Sequence, residues 1–278
     1  MDIVELRRKQ SIFIEDKVDN MLRSVQINPT ELCNRTCSFC PRHDKKIYKN
    51  QNKHISIETI KNLCNGLKEL NFNNRIGFVG FGEPLLCKNI IDSIKTVKDL
   101  IPDIKYLEVN TNGDKLTSDI IKKLFDAGCS HISISMYDSD KSEYFLSLKK
   151  DIPIEMILRH HYNHNVNYNL NIVNRSDLLK GSKNIFNNNP CYLPFYKMLV
   201  DWNGDLLLCD NNWKKDVVFG NVNEDNLKKI WYGDKINNYR NTLIKNRNIK
   251  PCINCSVNGI FEDRGKESVK LYKRYVKS

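Results

Sequence analysis

The sequence predicts an α/β fold: a partial (β/α)6 TIM-like barrel, followed by a small second domain built on a β-hairpin and helices. Short apolar runs alternate with helical windows through the first 180 residues, and this alternation is typical of parallel β–α–β units. A stretch rich in Gly, Ser, Asn and Pro then interrupts the rhythm. Beyond it, two apolar runs are joined by Asn203-Gly204, a dipeptide that favours a hairpin turn.

Six apolar runs are the candidate barrel strands, at residues 24–28, 76–80, 106–110, 131–136, 153–158 and 169–173. Helical windows lie between the strands at 56–70, 89–100, 117–127 and 141–149. Ser56, Thr117 and Ser118 stand where such windows begin, and hydroxyl side chains cap helix N-termini. An amphipathic helix over residues 1–23 leads into the first strand.

The chain is expected to divide near Lys180, with the barrel over 1–180 and the second domain over 181–278. After the hairpin, one or two helices at about 225–246 and a CxxC turn complete the second domain, which ends in a basic tail. In a β/α barrel the loops at the carboxyl ends of the strands form the active site. The motifs of the first domain fall on such loops.

Composition limits the cellular setting. Among the 278 residues there is no apolar run of the roughly 18 residues that a membrane-spanning helix needs. The start MDIVELRRKQ mixes acids and bases and no apolar core follows, so it is not a secretory signal. Ten cysteines without an export signal indicate reduced thiols in the cytoplasm, where clustered cysteines more often bind metal than form disulfides.

The formal net charge is +11, from 44 Lys and Arg against 33 Asp and Glu. Basic residues are spread along the chain, and only the tail from Lys266 to Lys277 concentrates them. Basic charge without a binding motif or an aromatic platform is weak evidence for nucleic-acid binding. Nucleic acid is therefore not the expected partner.

Cys33, Cys37 and Cys40 form a CxxxCxxC pattern on the loop after the first strand. Three thiolates can ligate three irons of a [4Fe–4S] cluster and leave the fourth iron open to a chelating substrate. Structural zinc prefers four protein ligands, usually in CxxC pairs, and ferredoxin runs also supply four cysteines. The triplet therefore predicts a site-differentiated iron–sulfur cluster.

A second group, Cys191, Cys209, Cys252 and Cys255, lies after the predicted boundary. Four thiolates would saturate a cluster, which leaves electron transfer as its role; a four-cysteine zinc site is the alternative. The remaining cysteines lie in apolar contexts and are expected to be small core residues; they are Cys64, Cys87 and Cys129.

The first triplet, with Phe39 before its last cysteine, resembles the SAM-cleaving motif of the radical S-adenosylmethionine (SAM) superfamily. The segment GFGEPLL resembles the GGEP motif of that family, with Phe81 where the family has a second glycine. The resemblance implies that the Gly82 backbone and the Glu83 carboxylate receive the SAM ammonium group.

The third and fourth strands end in NTNGD and SISMYD. In similar proteins these ends contact the methionine carboxylate and the ribose of SAM, which makes Asn112 and Ser135 candidate SAM ligands. A turn-forming Asn-Gly pair and an ordinary strand serine are the alternatives.

Hairpin, helix and CxxC in this order resemble the twitch domain, a short form of the SPASM extension that holds one auxiliary [4Fe–4S] cluster. CNRTC, GEPLLCKN, TNGD and residues 220–240 resemble the aminocyclitol dehydrogenases of the superfamily. That resemblance implies that Arg175, at the end of a late strand, binds the substrate hydroxyl as a catalytic residue. The chain departs from those enzymes at Asn110 and at Asp210-Asn211, so its substrate is left open.

The resemblance implies SAM and two [4Fe–4S] clusters as cofactors, with electrons from a flavodoxin- or ferredoxin-like donor. A 5′-deoxyadenosyl radical would take a hydrogen atom from a secondary alcohol of a polyol, aminocyclitol or sugar-type substrate. The auxiliary cluster would accept the remaining electron, giving a dehydrogenase.

Three other functions stay open. A peptide maturase usually carries a leader-binding domain ahead of the barrel, and 32 residues before Cys33 leave no room for one, although a separate protein could supply it. A redox-neutral sugar epimerase or dehydratase would need no electron acceptor. A zinc-stabilised RNA-binding module belongs to a different class.

Overall fold

The computed structural model describes residues 21–161, 174–176, 178–179, 189–259 and 262–275. The strands in these ranges are β1 (Ser24–Ile27), β2 (Arg75–Phe78), β3 (Tyr106–Thr111), β4 (His131–Met136), β5 (Glu155–His160), β6 (Lys197–Val200), β7 (Asp205–Leu207) and β8 (Val218–Asn221). The α-helices are α1 (Ile57–Glu69), α2 (Ile90–Leu100), α3 (Ser118–Asp126), α4 (Ser142–Lys149), α5 (Leu193–Tyr196), α6 (Leu227–Tyr232), α7 (Asp234–Leu243) and α8 (Glu262–Tyr275).

The strands form one sheet in the order β5-β4-β3-β2-β1-β6-β7-β8. Neighbours from β5 through β1 to β6 are parallel, whereas β6, β7 and β8 pair antiparallel. This arrangement confirms the predicted α/β partial barrel. The predicted strand at 169–173, the division near Lys180 and nearly all of the predicted helix at 1–23 lie outside the described residues.

The hairpin strand β6 extends the barrel sheet. It pairs parallel with β1 over four residues, from Ser24 opposite Lys197 to Ile27 opposite Val200. The hairpin turn is the predicted one: Gly204 has a φ of 93°, a left-handed value that glycine adopts without strain. The sequence did not predict β8 or helix α8. Through β6, residues of the second unit reach the same sheet edge as the loop after β1.

Helix starts follow the predicted capping chemistry. Ser56 Oγ accepts a hydrogen bond from the Thr59 backbone N–H ahead of α1. Thr117 does the same for Ile120 ahead of α3. Each cap satisfies a backbone donor that the first helical turn leaves unpaired. No helix in the described part of the chain is long and apolar enough to cross a membrane.

Alternating side chains give the barrel strands two different faces. Val25, Ile27, Val109 and similar residues pack against the helices in one large hydrophobic core. The alternate positions carry polar side chains, of which Gln26, Glu108, Ser133 and Ser135 are buried and Asn110 is partly buried. The inner face of the barrel is therefore polar, in contrast to the apolar face beneath the helices.

Cys64, Cys87 and Cys129 are buried, with 0%, 3% and 1% exposure, inside this hydrophobic core. Burial raises the pKa of the Cys64 thiol to about 12. Their prediction as small core residues is confirmed.

Candidate active site

The loops that leave the first strands meet at one edge of the sheet, because parallel strands end on the same side. The loop after β1 carries the first cysteine group, and the GFGEP segment follows β2. Glu83 donates its backbone N–H to the Leu32 carbonyl at 2.7 Å, which joins the two loops. Gly82 lies so close to the first loop that a Cβ atom there would stand 2.2 Å from the Thr30 carbonyl oxygen. Only glycine fits at that position.

Phe81 occupies the position where the family motif has a second glycine, and its side chain has a packing role. Its ring is 2% exposed and packs edge-on against Trp213, with ring centroids 4.9 Å apart. Tyr48 packs against the same tryptophan at 4.9 Å. The aromatic cluster joins the motif after β2 to the loop that follows Cys209, so the departure has a packing function.

Glu83 is 3% exposed and its carboxylate is already extensively hydrogen-bonded. Oε1 accepts from the Thr111 hydroxyl at 2.6 Å and the Leu85 backbone N–H at 3.2 Å, and Oε2 accepts from the Asn112 backbone N–H at 2.8 Å. Burial raises the pKa of Glu83, although these hydrogen bonds oppose the rise. Because a carboxylate has about four acceptor positions, one remains on Oε2 for a ligand.

Asn112 joins three segments of the site. Besides its backbone bond to Glu83, its side chain donates to Asn34 Oδ1 at 2.9 Å and accepts from the Asp114 backbone N–H at 3.0 Å. Arg35, the next residue of the cysteine loop, forms a two-pronged ion pair with Asp114, with N–O distances of 2.5 and 2.6 Å. These contacts fix the cysteine loop to the end of β3.

Asp138 extends this clamp to the end of β4, since Arg35 reaches it at 2.8 Å. A cavity of about 400 Å³ lies beside the clamp and is lined by residues of the cysteine loop and of the β3 and β4 ends, among them Arg35, Asn112 and Tyr137. The cavity therefore adjoins the first cysteine group at the sheet edge where barrel active sites form.

Phe39 and Ser135 both meet Tyr137. The rings of Phe39 and Tyr137 lie 5.0 Å apart, and Ser135 shares a hydrogen bond with the Tyr137 side chain. Ser135 also donates to Asn110 Oδ1 at 3.4 Å, across the inner face. The sequence pointed to the strand end SISMYD, but it did not indicate that Tyr137 contacts both Phe39 and Ser135.

Cys33, Cys37 and Cys40 are partly buried, and they lie close enough to influence one another's thiol pKa values. Burial, together with the neighbouring Cys40 and Cys33, raises the pKa of the Cys37 thiol to about 11. Within the described ranges, no three Cys, His, Asp or Glu side chains converge closely enough to hold a single metal ion. The donor set itself, three neighbouring thiols on one surface loop, has the chemistry that a [4Fe–4S] cluster requires.

The second cysteine group is also brought together. Burial raises the pKa of Cys209 well above its usual value, with further contributions from Asp210, Cys252 and Cys255. Cys191 shows the same effect to about 11. Cys252 and Cys255 each lie close enough to Cys191 and Cys209 to influence their thiol pKa values or to be influenced by them, and four cysteines are the ligand set of a saturated iron–sulfur cluster.

Arg247 supports this second group, and the sequence analysis missed it. Its side chain is buried, and its guanidinium donates to the Cys255 carbonyl at 3.3 Å and to the Val257 carbonyl. Its charge also lowers the thiol pKa values of Cys191 and Cys252, although burial outweighs it. A buried cation of this kind favours thiolate ligands.

Asn174 and Arg175 connect the two cysteine groups. Asn174 donates to the Asn254 carbonyl at 2.5 Å and accepts from the Ser256 backbone N–H at 3.1 Å, on both sides of Cys255. Arg175 lies close enough to Cys40 for its charge to lower the pKa of that thiol against the effect of burial.

The Arg175 guanidinium also reaches the loop after Cys209. Nη1 donates to Asn211 Oδ1 at 2.8 Å, while Nε is buried and has no hydrogen-bond partner within the part of the chain that the structure describes. Burial alone would raise the pKa of Asp210, but Lys197, at 2.6 Å, and Arg175 lower it below its usual value. The predicted catalytic arginine therefore lies between the two cysteine groups, with an Nε–H that has no partner among the described residues.

A buried ionic network beneath the first cysteine loop had no sequence motif to reveal it. Glu31 and Asp201, each 2% exposed, flank the Lys215 ammonium group, which lies 2.6 Å from Asp201 and also pairs with Glu31. Asn28 donates to both carboxylates, at 3.1 and 2.7 Å. Arg42 pairs with Glu31 at 3.3 Å.

Asn28 links this ionic network to the GFGEP segment after β2 through hydrogen bonds. Its Oδ1 atom accepts from the backbone N–H groups of Phe81 and Gly82, at 2.8 and 3.2 Å. Lys215 comes from the segment after Cys209, so the second unit contributes directly to the position of the first cysteine loop and the GFGEP segment.

Comparison with known families gives this site its class. The Radical SAM superfamily matches residues 27–175, more than half of the chain, and the chain belongs to that superfamily. The SPASM iron–sulfur cluster-binding domain matches residues 191–256, which include all four cysteines of the second group. The protein is a radical SAM enzyme, an oxidoreductase that uses SAM and [4Fe–4S] clusters, and the predicted family and cofactors are confirmed. The match favours iron–sulfur over the zinc alternative.

Two individual relatives within the superfamily differ in how much of their length matches this chain. The chain is 26% identical over 245 residues to the S-adenosyl-L-methionine-dependent 2-deoxy-scyllo-inosamine dehydrogenase of Niallia circulans, across 86% of this chain and 94% of that enzyme. It is 28% identical over 152 residues to the probable GTP 3′,8-cyclase of Methanocaldococcus jannaschii, across 52% of this chain and 46% of that protein. The chain thus spans about half the length of the cyclase and nearly all of the dehydrogenase.

Two solved structures also match this chain over most of its length. The crystal structure of BtrN in complex with AdoMet and 2-DOIA superposes with a TM-score of 0.71 at 26% identity, over 87% of this chain and 95% of BtrN. Native anSMEcpe with bound AdoMet gives a TM-score of 0.57 at 15% identity, over 91% of this chain and 96% of that one, and shares the fold.

Proposed function

We propose that this enzyme is a radical SAM dehydrogenase that oxidises a secondary alcohol of a small polyol, aminocyclitol or sugar-type substrate to a ketone. The observation that carries the proposal is the position of Arg175. Its guanidinium lies near Cys40 and hydrogen-bonds Asn211, two residues beyond Cys209. A substrate held by this arginine would lie between the two cysteine groups.

Each cysteine group has its own task in this proposal. Cys33, Cys37 and Cys40 would hold the first cluster, and Cys191, Cys209, Cys252 and Cys255 the second. When bound, SAM and the first cluster supply hydrogen-atom abstraction from carbon, and the second cluster supplies a one-electron acceptor. The protein contributes binding, orientation and exclusion of water.

The SAM-binding residues are proposed from the loops around the first group. Gly82 and the free acceptor position of Glu83 would receive the ammonium group, and Asn112 and Ser135 would contact the carboxylate and the ribose. Phe39 would pack beside the nucleoside. The cavity of about 400 Å³ at the ends of β3 and β4 supports this placement.

Arg175 would orient the substrate through its Nε–H, which has no partner in the described ranges and can donate to a hydroxyl oxygen. A nearby cation stabilises developing negative charge on that oxygen as its proton leaves. The polar inner face of the barrel, with buried Gln26 and Ser135 and partly buried Asn110, suits a substrate that carries several hydroxyl groups. Such groups must be hydrogen-bonded once they are buried.

The finer partners belong to the same proposal. The first site would receive its electron from a flavodoxin- or ferredoxin-like donor. The enzyme would work in the cytoplasm, where its thiols stay reduced.

A Cys252→Ala variant tests the dehydrogenase assignment. Intact reconstituted enzyme, given SAM, dithionite and 2-deoxy-scyllo-inosamine or scyllo-inositol, should form 5′-deoxyadenosine and a ketone in equal amounts. In the proposed reaction, hydrogen abstraction would come before the substrate electron leaves. The variant should therefore keep part of its 5′-deoxyadenosine formation while the ketone collapses.

Cys64→Ala is the matched control, since Cys64 is a buried cysteine of the core. Iron content and circular dichroism show whether the small domain stays folded, because cluster ligation and folding are coupled. Ketone formation at the wild-type rate by a folded Cys252→Ala protein lacking four irons contradicts the acceptor role. A product isomeric with its substrate would instead identify an epimerase.

A further inference from the structure

Three exposed lysines lie on the segment that follows the first cysteine group. Lys45, Lys46 and Lys49 are all exposed, and between them Ile47 leaves 36% of its surface in solvent. None of the three lysines forms an ion pair with another described residue. We call Lys45, Lys46, Ile47 and Lys49 the basic patch.

The basic patch belongs to a segment that is fixed to the cysteine loop at both ends. The His43 backbone N–H donates to the Cys40 carbonyl at 3.0 Å. The Asn50 side chain accepts from the Cys33 N–H at 3.0 Å and donates to the Cys33 carbonyl at 2.8 Å. The patch is therefore tied through hydrogen bonds to the first and last cysteines of the group.

The segment is also anchored from beneath. Tyr48 turns inward while its neighbour Ile47 turns outward, and its ring stacks edge-on against Trp213 and beneath the Arg42 guanidinium, 4.7 Å from the ring centroid. The turn that carries the lysines is closed by Asp44, whose Oδ1 accepts from the Lys46 N–H at 2.7 Å. The patch is thus held in place by packing and hydrogen bonds before any partner arrives.

We infer that the basic patch is the docking surface for the acidic electron-carrier protein that reduces the first cluster. The inference rests on the proposed function, since it needs a cluster held by Cys33, Cys37 and Cys40. Three exposed cations that form no ion pair with a described residue, placed around one exposed apolar side chain, complement a carrier whose redox group is rimmed by carboxylates. Such charge complementarity mainly raises the association rate.

The position of the patch explains why an electron could enter here. The outer residues of the cysteine loop, Asn34, Thr36 and Ser38, are exposed, so the loop lies at the protein surface. A carrier seated on the patch would bring its redox group beside this loop. One electron would pass to the first cluster, and the carrier would be oxidised by one electron.

A charge-reversal experiment tests the docking surface. The variant carries Lys45→Glu, Lys46→Glu and Lys49→Glu, and the matched control carries Lys266→Glu, Lys270→Glu and Lys273→Glu on α8, where the lysines are equally exposed. Both changes alter the net charge by the same amount. Anaerobic stopped-flow absorbance follows cluster bleaching after mixing reconstituted enzyme and SAM with fully reduced flavodoxin.

The patch variant should be reduced about tenfold or more slowly than wild type at low ionic strength, in line with electrostatic steering. The control should stay within about twofold. Because the Debye length falls to about 3 Å at 1 M salt, high salt should erase most of the difference. Equal rates for wild type and patch variant at low salt would overturn the proposal. The proposal would also be overturned if the three substitutions changed only the self-association or the oligonucleotide binding of the enzyme.

Dithionite separates this proposal from the proposed function. With dithionite as reductant, the patch variant should cleave SAM at the wild-type rate, because a small reductant needs no docking surface. Failure of wild type itself to cleave SAM with dithionite would defeat the proposed function. Normal cleavage with an unchanged flavodoxin rate in the patch variant would defeat the docking surface alone.

Discussion

Replacing Lys215 with Met should destabilise the protein by leaving Glu31 and Asp201 as two buried carboxylates without their shared cation. Removing one partner of a buried ion pair typically costs about 3–5 kcal/mol. Two features reduce that cost here: the Lys215 side chain is 20% exposed, and Arg42 still pairs with Glu31 at 3.3 Å. We therefore expect a loss of about 2–3 kcal/mol at pH 7.5.

The loss should depend on pH, and its direction follows from the charges. Burial already raises the pKa of Asp201 despite the compensating charge of Lys215. Without the lysine, that pKa rises further, so the folded variant binds a proton that the unfolded chain releases. Its stability deficit should therefore shrink as the pH falls from 8 towards 5.5 and grow as the pH rises.

The assay compares apparent unfolding midpoints in urea, followed by circular dichroism on reconstituted protein under anaerobic conditions. A Lys215→Met, Asp201→Asn double variant removes the uncompensated charge and should recover at least half of the loss. Calorimetry should also show weaker SAM binding in the single variant, because Asn28 links this network to the backbone of Phe81 and Gly82. A double variant no more stable than the single one at pH 7.5 would refute the electrostatic explanation.

Three further predictions concern individual side chains. Gly82→Ala should disrupt SAM binding, measured by calorimetry, because the added Cβ would lie 2.2 Å from the Thr30 carbonyl oxygen; unchanged affinity would show that the loops part easily. Glu83→Gln should weaken SAM binding by about 1.5–3 kcal/mol if its free acceptor position receives the ammonium group. An effect on thermal stability without an effect on SAM affinity would leave Glu83 a purely structural link. Burial opposes ionisation of Glu108, but Arg75 and a second arginine lower its pKa to about 2. The ionised Glu108 carboxylate should therefore stabilise the folded protein above the unfolded pKa of about 4.5, and this contribution should be lost in acid titrations as the pH falls towards 2. Glu108→Gln should remove this part of the pH dependence of stability.

The barrel elements could be predicted because their sequence patterns are local. Predicted strands at 106–110 and 131–136 correspond to Tyr106–Thr111 and His131–Met136, and the window at 56–70 corresponds to Ile57–Glu69. Apolar alternation and a capping hydroxyl act over a few residues, so both can be recognised without knowing the fold. The predicted hairpin is likewise present at β6 and β7.

The pairing of β6 with β1 could not be predicted. The two strands are about 170 residues apart, and neither segment contains a local pattern that specifies which strand it pairs with. The same limit applies to Glu31, Asp201 and Lys215, which read as ordinary charged residues until the fold buries them together. Both cysteine groups, in contrast, were recognisable from spacing or from family resemblance. Their assignment as cluster ligands, like the division of the chain near Lys180, stays a prediction.

The segment Asn174-Arg175 shows why the two halves of this chain work as one site. Asn174 is bound to the backbone on both sides of Cys255, so its position depends on the second cysteine group. Arg175, the next residue, places its charge near Cys40 and its side chain on Asn211. Because Asn174 and Arg175 are adjacent, we expect a displacement of the CxxC turn to shift the arginine that we propose holds the substrate. Loss of the second cluster that we propose at these cysteines should therefore alter substrate affinity as well as the proposed electron transfer, and a substrate-binding measurement on Cys252→Ala separates these two effects.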